Sequence, residues 1–190
     1  MERLEKEKAI EHLQKRYEHK KFETEEPILD IGGGEGIFLE SQDIKKATII
    51  DATTEKNKKY LYIHADISKK LPLINKKFKT IFITETLEHL KNPLYLLAQV
   101  YDLLEDDGTC YISVPYTEIG PEHHHVCRWT KKELLNQTAK LGFISKVIQK
   151  RRRFFGFGFW IPHCWLVLSL KKRTNNTNKK NIENYKLDLK

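Results

Sequence analysis

The residues with the clearest chemical pattern lie in a glycine-rich stretch near the start of the chain. An acid and three glycines are spaced as Asp-x-Gly-x-Gly-x-Gly, from Asp30 through Gly32 and Gly34 to Gly36. An apolar run precedes them and a helix-like segment follows, which predicts a strand, a tight turn and a helix. Glycine allows a positive φ in such a turn and lets a ligand approach the backbone closely. The stretch therefore predicts a nucleotide-type binding loop.

The spacing distinguishes this loop from a dinucleotide-binding fingerprint, which reads G-x-G-x-x-G. In that register Ile37 or Leu39 stands where the third glycine belongs. An acid two residues before the first glycine also suits an ammonium group better than a pyrophosphate. The stretch resembles motif I of the class I S-adenosylmethionine (SAM)-dependent methyltransferases, in which the acid and the loop hold the methionine end of SAM. The resemblance implies cofactor contacts from Asp30, Gly32, Gly33, Gly34 and Gly36.

Two further acids follow predicted strands. Asp51 ends the apolar run of residues 47–50, where an acid can accept hydrogen bonds from both ribose hydroxyls of a nucleoside; the alternative is a helix N-cap. Asp66 follows the strand predicted at residues 60–64. The resemblance implies that Asp66 binds the adenine amino group, and the alternative is a turn acid before Ser68. The predicted cofactor set is completed by Ala52, Ile67 and Thr84.

A second group of chemical residues follows the strand predicted at residues 78–84. The segment from Glu85 to Pro93 resembles motif IV of small-molecule methyltransferases, often seen as E-x-L-E-H-x-x-x-P. Ligands bind at the carboxyl ends of strands in open α/β sheets, and a general base helps a hydroxyl nucleophile. The candidate bases are His89, Glu85 and His125, the last from a loop of three consecutive histidines.

The same residues allow an alternative that includes a metal ion. Residues at i, i+3 and i+4 of a helix share one face, so Glu85, Glu88 and His89, joined by His125, could bind Mg²⁺, Mn²⁺ or Zn²⁺. That set resembles the metal-dependent small-RNA 3′-terminal 2′-O-methyltransferases and some quinone-ring O-methyltransferases. The main expectation is a site without a metal.

The elements that must position these residues alternate between apolar strands and helices. This order predicts one doubly wound α/β domain with a mostly parallel seven-stranded sheet; an antiparallel last strand is implied by the resemblance. We expect an N-terminal helix over residues 1–22, the methyltransferase domain over 23–171 and a disordered basic tail over 172–190. A helix after Pro93 should be capped by Gly108, and Thr130 with Glu133 predicts a capping box.

Charge is distributed unevenly along the 190 residues, whose net charge is +8. Residues 22–144 carry fifteen Lys/Arg against nineteen Asp/Glu, whereas residues 145–190 carry twelve against two. A basic end attracts polyanions, so residues 150–160 and the tail could contact RNA or an anionic membrane surface; the alternative is a hydrophobic hairpin packed on the sheet. Pro162 and two glycines argue against a transmembrane span.

Three scattered cysteines indicate a reducing compartment, and no signal-peptide core is seen, so we expect a cytoplasmic protein.

Together these features predict a SAM-dependent methyltransferase that acts on oxygen or nitrogen of a small molecule. One alternative is an RNA 3′-terminal 2′-O-methyltransferase. Another is a SAM-binding subunit without catalysis of its own, because an intact Asp30, glycine-loop, Asp51 and Asp66 set implies that SAM binds but not that a methyl group is transferred.

Overall fold

A computed structural model describes residues 2–17, 19–52, 59–72, 75–115, 126–151 and 165–173. The elements follow in chain order: α1 (Glu2–Arg16), β1 (Ile28–Ile31), α2 (Ile37–Ser41), β2 (Thr48–Asp51), β3 (Leu61–His64), β4 (Phe78–Thr84), a 3₁₀ turn (Leu87–His89), α3 (Pro93–Leu103), β5 (Leu104–Pro115), α4 (Lys131–Lys140), β6 (Phe143–Arg151) and β7 (Trp165–Lys172).

The seven strands form one sheet in the order β3-β2-β1-β4-β5-β7-β6. The first five pair in parallel, and β7 lies antiparallel between β5 and β6. This arrangement confirms the predicted doubly wound sheet with an antiparallel last strand. It also places β1 between β2 and β4, as the middle one of the five parallel strands, so that the ends of these three strands are neighbours.

Apolar residues fill both faces of the sheet. Successive side chains of a strand point to opposite faces, and β4 follows this rule: Ile81 and Ile83 pack in the core beneath α3 and α4, whereas Phe82 packs on the other side. On that side an aromatic cluster joins the end of α1 to the sheet through Tyr17 and Phe22, whose rings lie 5.7 Å apart. Phe22 also lies 5.0 Å from the ring of Tyr111. The N-terminal segment is therefore fixed to the sheet mainly at its C-terminal end.

The prediction that Gly108 caps the helix after Pro93 is wrong. The helix α3 ends at Leu103, and Leu104 already pairs with Phe78 as the first residue of β5. Leu104 is fully buried, and this burial stabilises its place in the sheet rather than in a further helical turn. Gly108 lies inside the strand, where an added Cβ would come within 2.9 Å of the Lys79 carbonyl oxygen. Glycine is thus needed there for close approach of two backbones.

The capping box before α4 is confirmed. The Thr130 hydroxyl accepts a hydrogen bond from the Glu133 N–H at 3.2 Å, and the Glu133 carboxylate accepts one from the Thr130 N–H at 2.8 Å. In the part of the chain described here, no helix is long and apolar enough to cross a membrane. Most of the predicted basic and aromatic contact region, residues 152–160, and the tail beyond Arg173 lie outside the described residues.

Replacing Thr130 with alanine should destabilise the protein, because α4 then loses the side-chain acceptor for the Glu133 N–H in its first turn. We expect a loss of about 1 kcal/mol in the free energy of unfolding, measured by urea denaturation. Lys132→Ala, an exposed change in the same helix, is the control and should change stability by less than about 0.5 kcal/mol. Equal stabilities of T130A and wild type would contradict the assigned cap.

Candidate functional site

The residues of the predicted cofactor site come together at the carboxyl ends of β1, β2 and β4. Asp30 of β1 pairs with Ile49 of β2 on one side and Phe82 of β4 on the other. The glycine loop follows β1 immediately, Asp51 ends β2, and Thr84 ends β4. Open α/β sheets bind ligands at this edge, as the sequence predicted.

Asp30 is fully buried, and within the described residues neither of its carboxylate oxygens has a hydrogen-bond partner. Burial raises the pKa of this carboxyl to about 7, and the negative charge of Asp51 adds to the effect. An added Cβ at Gly33 would lie 2.5 Å from Asp30 Oδ2, so the loop passes directly over the carboxylate. A buried carboxylate without a partner is costly, so this position suits a ligand group that brings hydrogen-bond donors and positive charge.

The glycine loop is packed at its two ends and open in the middle. An added Cβ at Gly32 would come within 2.5 Å of Thr86 Cγ2, and one at Gly36 would come within 2.7 Å of the Tyr60 ring. Gly34 has a φ of +51°, and no heavy atom lies within 4 Å of the position of its absent Cβ. The middle of the loop therefore leaves room for a ligand to lie against the backbone.

Asp51 is directed at the loop. Its Oδ2 accepts a hydrogen bond from the Gly34 N–H at 2.9 Å, and the Tyr62 hydroxyl donates to the Gly34 carbonyl at 3.1 Å. Ala52 follows Asp51 at the end of β2, and the residues that would form a helix after it lie outside the described part. The structure thus places Asp51 beside the predicted binding loop, and a role in ribose binding stays a prediction.

Asp66 lies in a different environment. It is exposed, and its Oδ1 accepts hydrogen bonds from the Ser68 N–H at 3.0 Å and the Ser68 hydroxyl at 2.6 Å. These bonds, with Lys69 near the carboxylate, hold the pKa of Asp66 below its usual value. This is the geometry of the turn acid considered as the alternative, and the adenine role is untested. Ile67 next to it packs against the core.

Glu85 follows β4 in a left-handed conformation, with a φ of +52°. Its Oε1 accepts a hydrogen bond from the Ser113 hydroxyl at 2.8 Å, and its Oε2 accepts one from Arg16 Nη1 at 2.9 Å. The Tyr17 hydroxyl lies 2.9 Å from Ser113 Oγ, and burial raises the pKa of Tyr17. Glu85 is thus held by α1 and β5 together, which makes it a positioned anion and a weaker candidate for a base.

The prediction that Glu85, Glu88 and His89 share one face of an α-helix is wrong. Glu85 precedes the short 3₁₀ turn Leu87–His89 and does not belong to it. Burial of Leu87, which is fully inside the core, and the left-handed backbone at Glu85 prevent a regular helix from starting at the end of β4. Glu88 is buried, and its Oε1 lies 4.0 Å from Nε2 of the half-exposed His89.

No three His, Cys, Asp or Glu side chains among the described residues are arranged so that they could hold a metal ion. His125, the fourth residue of the alternative metal set, lies outside those residues. The structure describes two of the three candidate bases, Glu85 and His89. Glu85 is held in an ion pair by Arg16 of α1, which leaves His89 as the stronger candidate.

Sequence analysis missed the partners of Glu85 and of Gly34. Arg16 is 69 residues from Glu85 in sequence, Tyr17 is 96 from Ser113, and Tyr62 is 28 from Gly34. No local pattern marks such pairs, since they arise from strand order and not from spacing along the chain.

A family model described as a methyltransferase domain matches residues 2–145. The chain belongs to this methyltransferase family. The match begins in α1 and includes the glycine loop and the 3₁₀ turn, so it covers every part of the site described above. No curated protein matches the chain significantly.

Several solved structures of methyltransferases have the same fold as this chain. A putative methyltransferase of Haloferax volcanii, solved in complex with a methyltransferase activator, is 16% identical, with a TM-score of 0.67 over 90% of this chain and 92% of that one. A 1,6-didemethyltoxoflavin N1-methyltransferase of Burkholderia thailandensis is 19% identical, with a TM-score of 0.58 over 88% and 78%. An O-methyltransferase from neocarzinostatin biosynthesis is 12% identical, with a TM-score of 0.55 over 76% and 48%.

The raised pKa of Asp30 predicts how the stability of the ligand-free protein depends on pH. The folded state keeps the Asp30 proton up to about pH 7, whereas an unfolded aspartate loses it near pH 4. The contribution of Asp30 protonation to the free energy of unfolding is therefore complete below about pH 4 and is lost as the pH rises through about 7. The total contribution is on the order of 4 kcal/mol. Urea unfolding of wild type and Asp30→Asn from pH 4 to 8 should show their stability difference changing in this window; parallel profiles would contradict the burial of an unpaired carboxyl.

Proposed function

We propose that this protein transfers a methyl group from SAM to an oxygen or nitrogen atom of a small-molecule acceptor. The observation that carries the proposal is the buried carboxylate of Asp30, which has no hydrogen-bond partner among the described residues, beneath a glycine loop that is open at Gly34. SAM offers what this carboxylate lacks, an ammonium group with three N–H donors on a ligand that lies against the loop.

An ammonium group bound beside Asp30 would offset the cost of an ionised carboxylate that is buried without a positive partner. A buried carboxyl stays protonated near neutral pH when no cation faces it, whereas an opposite charge within hydrogen-bond distance favours the ionised form. Hydrogen bonds to a charged partner contribute about 1.5–3 kcal/mol. The same carboxyl that destabilises the ligand-free protein at neutral pH would thus become a strong contact in the complex. A pyrophosphate is an anion and would instead repel the ionised carboxylate.

The other cofactor contacts follow from the neighbouring strands. Gly34 leaves the backbone accessible for the methionine part of the ligand, and Gly32, Gly33 and Gly36 allow the loop to pack closely against Thr86, Asp30 and Tyr60; all four glycines are assigned to the cofactor site. Asp51, which already orients the loop through the Gly34 N–H, is assigned to the ribose hydroxyls, and Ala52, Asp66, Ile67 and Thr84 to the remaining contacts of the nucleoside and the sulfur. Asp66 can accept a hydrogen bond from adenine at Oδ2, since Ser68 donates both of its hydrogen bonds to Oδ1.

Bound SAM supplies an electrophilic methyl group on a sulfonium, and the protein holds the acceptor atom in line with it. Positioning of this kind can lower the barrier by about 7–11 kcal/mol. His89 follows β4 at the same edge of the sheet and is half-exposed, so its imidazole is assigned to take the proton from the acceptor. Glu85, held by Arg16 and Ser113, is assigned to accept a hydrogen bond that orients the acceptor.

A small acceptor is supported by the related structures. The Burkholderia thailandensis enzyme was solved with 1,6-didemethyltoxoflavin and S-adenosylhomocysteine (SAH), and the neocarzinostatin enzyme with SAM and a naphthoic acid. The RNA alternative requires a metal site built from Glu85, Glu88, His89 and His125. The first three are described, and their side chains do not form a group that could hold a metal ion. The alternative of a binding subunit is suggested by the Haloferax volcanii structure, which contains an activator protein, and turnover by the isolated chain separates it from the proposal.

Cofactor binding should depend on Asp30 and on the absence of a side chain at residue 34. Wild type should bind SAH in a calorimeter, and Asp30→Asn should bind about 10- to 100-fold more weakly at pH 8, since a charged hydrogen bond is lost. Gly34→Val should abolish binding, because its side chain occupies the ligand space and strains a positive φ. Asp43→Asn changes an exposed aspartate and should leave SAH affinity unchanged. Binding of NAD with no binding of SAH would overturn the proposal.

The base assignment predicts a separation of kcat from cofactor affinity. With a panel of small phenols and amines and SAM, SAH formation identifies an accepted compound; His89→Ala should then lower kcat by about 10²–10⁴-fold while the Kd for SAH stays the same. His19→Ala, an exposed histidine after α1, is the control.

Activity should persist in EDTA. Loss of activity in EDTA with recovery on adding Mn²⁺ would support the metal alternative, and tight SAH binding without turnover of any compound would support a non-catalytic subunit.

A further inference from the structure

The glycine loop is held at Gly34 by side chains from two neighbouring strands. The Gly34 N–H donates to Asp51 Oδ2 at 2.9 Å, and the Gly34 carbonyl accepts from the Tyr62 hydroxyl at 3.1 Å. Asp51 ends β2, whereas Tyr62 lies in β3, opposite Ile49. Two consecutive peptide groups of the loop are therefore each fixed by a different side chain.

Gly34 is the place in the loop where such bonds matter most. Its φ is +51°, and nothing lies within 4 Å of the position of an added Cβ, so packing does not restrain the residue as it does at Gly32 and Gly36. Glycine populates both signs of φ readily. The Gly36 N–H closes a turn around Gly34 by donating to the Gly33 carbonyl at 2.9 Å, and the two side-chain hydrogen bonds restrict the peptide groups within that turn further.

The two bonds fix different groups and do not replace each other. A carboxylate only accepts hydrogen bonds, so Asp51 orients the peptide group before Gly34, through the N–H. The peptide group between Gly34 and Glu35 is oriented by a donor, and the Tyr62 hydroxyl is that donor. Because a trans peptide directs its C=O and N–H to opposite sides, this bond also turns the Glu35 N–H away from Tyr62.

We propose that Tyr62 is a positioning residue for the cofactor: its hydroxyl holds the Gly34–Glu35 peptide group in the orientation that the bound cofactor requires. The inference rests on the proposed function, because it takes the loop to be the binding site of SAM. Without the hydroxyl the peptide group samples several orientations. Apparent affinity then falls in proportion to the population of the competent loop.

Tyr62→Phe tests this directly, and the chain offers a matched control. Tyr60, two residues earlier, also donates its hydroxyl to a backbone carbonyl, that of Ile44 at 3.0 Å, which lies outside the loop. Tyr60→Phe removes the same atom from a more buried ring, keeps the ring that packs at Gly36 and leaves both peptide groups of Gly34 held. SAH is the probe for both variants, in a calorimeter at one pH and one ionic strength.

We expect SAH to bind Tyr62→Phe about three- to tenfold more weakly than wild type, the range expected for loss of one hydrogen bond, and Tyr60→Phe within twofold of wild type. Amide exchange followed by NMR gives a readout on the free protein: the Gly34 amide, which donates to Asp51 Oδ2, should exchange faster in Tyr62→Phe, where the loop is less restrained, than in wild type, and at the wild-type rate in Tyr60→Phe. Urea unfolding of both variants confirms that they are folded.

Equal SAH affinity of Tyr62→Phe and wild type would overturn the inference, and so would equal weakening by the two variants, since that would show only general loosening of β3. Both results differ from failure of the proposed function, in which wild type itself does not bind SAH and the role of Tyr62 falls with it.

Discussion

The arrangement of the site depends on one constraint, a buried carboxyl near the end of β1 that, within the described residues, has no hydrogen-bond partner. Asp30 lies between β2 and β4 under the glycine loop, and burial raises its pKa to about 7. Gly33 must lack a side chain because the carboxylate is directly beneath it. A fold that keeps such a group at a central position tolerates a loss of stability there, which is typical of a site that a ligand completes.

Around this carboxyl, the protein fixes its neighbours by polar contacts between elements that are distant in sequence. Asp51 orients the loop from β2, whereas Arg16 of α1 and Ser113 of β5 hold Glu85 in a left-handed conformation after β4. The N-terminal helix is thereby joined to the transfer edge of the sheet, and Tyr17 adds a buried hydroxyl beside Ser113. The contacts around the site are thus shared among strands, and the proposed function assigns proton transfer to His89.

Local sequence patterns predicted most of the strands and the cofactor loop, because each depends on a few neighbouring residues. Apolar runs predicted β1 to β4, and Thr130 with Glu133 predicted the start of α4. The errors came where long-range packing decides the structure: Leu104 enters the sheet instead of extending α3 to Gly108, and burial of Leu87 replaces an expected helix by a 3₁₀ turn. The partners of Glu85 and Gly34 had no local signal, because strand order brings them together.

The central claim is that the carboxylate of Asp30 receives the ammonium group of the cofactor. It is tested most directly by an NMR titration of the Asp30 carboxyl carbon in the free protein and with saturating SAH. The account predicts a pKa near 7 in the free protein and a pKa below the ordinary value of about 4 in the complex, since the bound ammonium favours the ionised form. A pKa of Asp30 that is the same with and without bound SAH would contradict it.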